Sequence, residues 1–80
     1  MRVQQVDIEE IVFTKKDYRK SMYESIKRIG LSFPIKVVIE DGKYYCQDGH
    51  KRLSAIMDMK EEEIYFKRRK INIIVMNNGN

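Results

Sequence analysis

Apolar side chains recur along the chain at two spacings, every second residue in some stretches and every third or fourth in others, and the switches between them mark the elements. Residues 2–8 set Val3, Val6 and Ile8 among polar neighbours and predict a first strand, which Glu9 and Glu10 interrupt before Ile11-Val12-Phe13. Thr14-Lys15-Lys16-Asp17 has the spacing of a capping box, with the Thr14 hydroxyl available to exposed amides and Asp17 in the positive first turn. Tyr18, Met22, Ile26 and Ile29 then repeat at helical spacing, and Gly30 followed by Leu31 fits a left-handed C-cap. The pattern predicts a helix over residues 15–29.

Phe33 precedes Pro34, which pushes it into an extended path leading to a strand, Ile35–Glu40. Asp41-Gly42 is a two-residue turn signal of the primed type, so Lys43–Asp48 should pair back antiparallel. In that register Ile39 faces Tyr44, Val37 faces Cys46 and Ile35 faces Asp48, which sets Cys46 among apolar neighbours. After Gly49 the rhythm returns to helix, with Leu53, Ile56 and Met57 as a stripe reaching Lys60. At about 100° per residue, Lys51 points opposite that stripe while His50 and Arg52 lie on its flanks. Residues 61–70 begin acidic and end basic, which suits a short helix, although Ile64, Tyr65 and Phe66 also suit a strand; the helix is the preferred reading. Ile71-Asn72-Ile73-Ile74-Val75-Met76 reads as a buried last strand and Asn77-Asn78-Gly79-Asn80 as a frayed tail. The order β, α, β, β, α, α, β is that of an α+β chain.

Length and charge narrow the picture further. Eighty residues hold one domain, 1–80, and the 35% of charged residues imply a heavily solvated exterior around a 42% apolar complement. The formal charge of +4 favours polyanionic partners, nucleotides or nucleic acid, without setting specificity. The single cysteine makes no internal disulfide, no apolar run nears the ~20 residues that cross a bilayer, and the N-terminus is unlike a secretory signal. A cytoplasmic chain with no membrane partner is the expectation.

The chemistry concentrates at Asp48-Gly49-His50-Lys51-Arg52. A strand running directly into a helix there brings unpaired amides, the helix dipole and cationic side chains to one place, a geometry that suits an anion. Gly49 permits close approach, Arg52 can grip two oxygens, Lys51 supplies a point charge, and Asp48 can cap the helix or hold a divalent cation beside phosphates. The residues alone leave open the plainer reading, in which Asp48 caps and the cations are merely solvated. Lys67, Arg68, Arg69 and Lys70 follow two aromatics and are a second candidate, for nucleic-acid contact, against the plain reading of a solvated face. His50 is a proton carrier or simply polar, Cys46 a small core residue, and Glu9 and Glu10 paired carboxylates without an assigned role.

The series Ser25-Ile26, Gly30-Leu31, Pro34-Ile35, Val37, then Gly49, Arg52-Leu53 and Ala55 resembles the N-terminal domain of the ParB partition proteins. In that family a Gly-Glu-Arg-Arg motif at the second helix contacts the phosphates of CTP. The resemblance implies a ParB/sulfiredoxin-like fold, a small mixed sheet of about four strands with two or three helices, and Gly49, His50, Lys51 and Arg52 as phosphate contacts. Sulfiredoxins share the fold and place a catalytic cysteine where this chain has His50, so sulfiredoxin activity is not expected. The ParB-like free-serine kinases carry Asp-Gly-His-His-Arg, which this chain is similar to in four of five places. With so few residues after the last strand, the helix-turn-helix and dimerising segment of partition proteins are not expected within these eighty residues, and the family's downstream Glu-Asn motif has no clear counterpart among them. What the resemblance implies is a domain binding a nucleoside triphosphate, CTP or ATP with Mg2+, or nucleic-acid phosphates, in a DNA-associated system with a DNA-binding protein as possible partner. The alternatives are a ParB-like enzyme, either a nucleotide-dependent phosphotransferase or a nuclease, and a protein-binding adaptor.

Overall fold

Strand β1 (Val3–Asp7), one 3-10 turn at Ile8–Glu10 and strand β2 (Ile11–Val12) open the chain in the computed structural model, which describes residues 2–77. Helix α1 (Lys20–Ile29), the hairpin β3 (Ile35–Glu40) and β4 (Lys43–Asp48), helix α2 (His50–Met57), the short helix α3 (Tyr65–Arg68) and β5 (Lys70–Val75) follow. The strands form one mixed sheet in the order β1-β5-β3-β4-β2, with β3–β5 and β2–β4 parallel and the other pairs antiparallel. The fifth strand, beyond the four expected, is Ile11-Val12, which finds Tyr44 and Tyr45 as parallel partners. β1 and β2 lie on opposite edges yet are joined by three residues. Four inter-strand gaps span roughly 19 Å on a flat sheet, whereas the four peptide units from Asp7 to Ile11 reach about 14 Å at most. The sheet therefore curls, and fully buried Ile8 sits at the seam with its amide donating to the Arg69 carbonyl at 2.8 Å.

Asp41 and Gly42 both take positive φ, 52° and 74°, the mirror-image turn the sequence predicts. Ile39 opposes Tyr44 and Val37 opposes Cys46 as expected, but a register shift between Lys36 and Val37 sets Lys36, not Ile35, against Asp48. The irregularity keeps Ile35 fully buried beside Ile73 of β5 while the Asp48 side chain turns to solvent. Ile35 and Val37 of β3, Cys46 of β4 and Ile71 and Ile73 of β5 bury one face against Ile26, Leu53 and Ile56 of the helices.

α1 begins at Lys20 rather than Lys15, and tertiary contacts explain why. The Thr14 amide donates to His50 Nδ1 at 3.0 Å and the Lys16 amide to Ser54 Oγ at 2.9 Å, so the groups a capping box would satisfy locally are spent on α2. Lys15 and the Tyr18 hydroxyl both reach Asp58, which makes residues 13–19 a strap across α2. Ser54, fully buried, returns its own proton to the His50 carbonyl at 2.7 Å. α2 stops at Met57 instead of Lys60, its last turn tightening as the Met59 amide bonds the Ile56 carbonyl and Met59 buries. Only Tyr65–Arg68 of the expected helix over residues 61–70 forms, and Lys70 already belongs to β5. Asn77 is not frayed: its side chain makes both hydrogen bonds to the Ile39 backbone, at 2.8 and 3.1 Å. The rest of the expected tail, Asn78, Gly79 and Asn80, lies outside the described residues.

Candidate functional site

Gly49 joins β4 to α2 at φ 123°, a conformation side chains resist, and an added Cβ would lie 2.4 Å from Ile35 Cδ1. The first bond inside α2 runs from the Leu53 amide to the Gly49 carbonyl, so the amides of His50, Lys51 and Arg52 point out of the helix start. Gly49 itself is the N-cap and no side chain caps it; the capping role expected of Asp48 is not used. The β-bulge and extended path of β4 carry the Asp48 carboxylate away from those amides, and it lies 4.0 Å from Arg52 Nη2 instead.

Arg52 is 23% exposed and donates from Nη1 to the Phe33 carbonyl at 3.2 Å, which holds the guanidinium along the mouth of the site while leaving donors to spare. His50 Nδ1 accepts the Thr14 amide, so the ring carries its proton on Nε2 and its plane is set by the strap. Lys51 is exposed. Two grooves meet here. One, of about 470 Å³, runs past Arg19, Ser25, Leu31 and Phe33; the other, of about 430 Å³, past Lys16, Gln47, Asp48 and His50; both are lined by Met22, Lys51 and Arg52. The structure thus brings Asp48, Gly49, His50, Lys51 and Arg52 together and adds Lys16 and Arg19 from the strap, which reading the sequence did not find. The run Lys15-Lys16…Arg19-Lys20 was a usable signal, hidden because those positions were expected on the turns of a helix.

The second candidate disperses. Arg68 donates from Nε to the Ile26 carbonyl at 2.7 Å and from Nη2 to those of Lys27 and Arg28 at 3.0 and 3.3 Å, capping the C-terminus of α1. Arg69 pairs with Asp7 at 2.7 Å and Glu9 at 3.8 Å while its guanidinium covers the Tyr65 ring. Of the four cations only Lys67 and Lys70 stay exposed, while Arg68 and Arg69 are half-buried and engaged within the fold. Asp7 and Glu10 exchange the hydrogen bonds of a capping box around the 3-10 turn, and with Glu9 on Arg69 the paired carboxylates have structural work. Arg69 beside Asp7 holds its carboxyl below the ordinary carboxylate range. Cys46 is buried, and burial followed by the charge of Asp48 pushes its thiol up to about 11. Among the described residues no three carboxylate, imidazole or thiol groups converge as a metal cage.

No family model and no curated protein matches the sequence. Solved structures do match. Sulfiredoxin from Arabidopsis thaliana superposes with a TM-score of 0.71 at 23% identity, over 95% of this chain and 85% of that one. The C-terminally truncated chromosome-partitioning protein ParB from Caulobacter crescentus, complexed with CTP-gamma-S, superposes with a TM-score of 0.72 at 18% identity, over 95% of this chain and 44% of that one. The chain therefore spans less than half of the ParB structure. At these identities the likeness establishes architecture: this chain has the fold shared by sulfiredoxin and ParB.

Proposed function

We propose that the chain binds the phosphates of a nucleoside triphosphate at the start of α2, with Gly49, His50, Lys51 and Arg52 as contacts, and that it serves a DNA-associated system. The observation that carries this reading is the meeting of two grooves at Lys51 and Arg52, in front of three outward amides and between Lys16 and Arg19. Helix dipole, amides and four cations there all favour a compact anion. The ParB structure of the same fold is a complex with CTP-gamma-S, which supports CTP as the first nucleotide to try. Asp48 is the one carboxylate lining its groove, and beside a bound triphosphate it suits Mg2+, which takes one or two carboxylates plus phosphate oxygens. Arg52 would then turn from Asp48 to the phosphates.

An enzyme, whether phosphotransferase or nuclease, would want a further carboxylate converging on Asp48, and nothing in that groove supplies it. Calorimetric titration with CTP, ATP and GTP, with and without Mg2+, tests the binding reading. Arg52→Ala should weaken the preferred nucleotide roughly ten- to hundredfold, the worth of a charge-assisted contact of about 1.5–3 kcal/mol. Lys67→Ala removes the same charge from an exposed position and should have a smaller effect that fades as salt rises. Equal, salt-sensitive losses would show that general positive charge matters and the α2 start does not.

A further inference from the structure

Beside the α2 start, the strap and the first residue of α1 carry Lys15, Lys16, Arg19 and Lys20, with Asp17 the carboxylate among them. A further groove of about 440 Å³ opens here, lined by Lys15, Lys16, Lys20, Tyr18 and Tyr23 together with the carboxylates Asp17 and Asp58. The two rings stack, centroids 6.5 Å apart and planes 9° from parallel. Their hydroxyls are held by Asp58 and Glu62, which fixes the pair. Each of those carboxylates also has its own lysine, Asp58 with Lys15 at 2.7 Å and Glu62 with Lys27. That leaves Lys16 and Lys20 against Asp17, and Lys16 also lines the groove that ends at Lys51 and Arg52. A rigid aromatic wall edged by cations is therefore continuous with the anion site.

From this continuity we infer that the chain holds a single-stranded nucleic acid, its bases against the Tyr18–Tyr23 pair, its backbone along Lys20 and Lys16, and one phosphate at Lys51 and Arg52. Only the last contact rests on the phosphate-binding reading of α2. Bases reach a walled groove once unpaired, and flat rings with nearby cations are how sequence-tolerant single-strand sites gain affinity; a duplex keeps its base faces covered. An acidic peptide would use the cations and leave the rings idle.

The test is fluorescence anisotropy with a labelled oligothymidylate of about twelve nucleotides, over a salt series, with a duplex of equal length as comparison. The single strand should bind more tightly than the duplex. Lys20→Gln, on the exposed start of α1, should reduce the salt slope by about 0.7, the share of one phosphate on a single strand. Lys43→Gln, exposed at the hairpin end of β4 and five residues from Asp48 along the strand, should leave the slope alone. Tyr18→Leu should weaken binding roughly fivefold or more, while Tyr18→Phe keeps the ring and the affinity. Circular dichroism checks each fold, and Lys20→Gln remains decisive should Tyr18→Leu unfold. Tighter duplex binding, equal slopes for the two lysine variants, or no oligonucleotide binding by a chain that still binds triphosphate would each overturn the inference. Oligonucleotide binding that survives Arg52→Ala, in a chain that binds no triphosphate, would instead sink the nucleotide reading and keep this one.

Discussion

Gly49→Ala should be the most damaging single-methyl change in this fold, because two independent penalties fall on one atom. The backbone at φ 123° lies where alanine is strained by about 1–3 kcal/mol. The new Cβ would also sit 2.4 Å from Cδ1 of Ile35, which is fully buried and cannot swing into solvent, so the core must shift at an overpacking cost of about 1–3 kcal/mol. Together these give about 2–6 kcal/mol, and in a domain this small each kcal/mol moves Tm by about 4–8 °C, so Tm should fall by at least about 8 °C. Thermal and urea unfolding followed by circular dichroism measure it. Gly42→Ala is the control: its φ of 74° is comparably strained but nothing lies within 4 Å of its Cβ, so it should cost only the backbone part. Ile35→Val alone should cost about 0.5–1.5 kcal/mol, yet combined with Gly49→Ala it should recover stability by removing the clashing carbon. A Gly49→Ala chain within about 3 °C of the parent, or additive effects in the double variant, would refute the account.

Arg68→Ala should lower stability while leaving triphosphate affinity within about twofold, since its donors serve the carbonyls of Ile26, Lys27 and Arg28; thermal melts and calorimetry on one preparation read both. Asp7 and Asp58 are held below the ordinary carboxylate range, by Arg69 and by Lys15 respectively, so their stabilisation is present above about pH 4 and is lost as pH falls through their lowered values. The urea midpoint should therefore fall with acid below about pH 4, and less steeply in Asp7→Asn. Burial holds the Cys46 thiol near 11, so a thiol reagent at pH 8 should modify the native chain far more slowly than the urea-unfolded one. Cys46→Ser should leave nucleotide affinity unchanged.

Local chemistry predicted well wherever a single residue had one way to satisfy its backbone. Asp41-Gly42 closes its hairpin, Gly30 ends α1 with φ 79°, and Gly49 separates strand from helix, each because positive φ leaves few alternatives. Thr14 failed as a cap signal for the opposite reason. Its amide and that of Lys16 had distant competitors in His50 and Ser54, which no short window of sequence displays. The same long-range bonds draw Lys16 and Arg19 to the α2 start, so half of the cations there were legible as motif and half only as topology. The tetrad of residues 67–70 kept two readings open in the sequence because charge without geometry does not say which cations stay free; Arg68 and Arg69 are drawn inward by α1 carbonyls and by Asp7.

The pairing of β1 with β5 also governs how the chain can reach this structure. Val3 lies against Ile74, and β5 is not an edge but the strand between β1 and β3. During synthesis the first strand thus has no partner until Lys70–Val75 have emerged from the ribosome. Until then the hairpin and α2 face an incomplete sheet, and loops spanning most of the chain must close late, which slows folding relative to a helical domain of equal length. The proposed phosphate site, which rests on Ile35 beneath Gly49 and hence on Ile73 of β5 beside it, therefore takes shape only once β5 slides into the middle of the sheet.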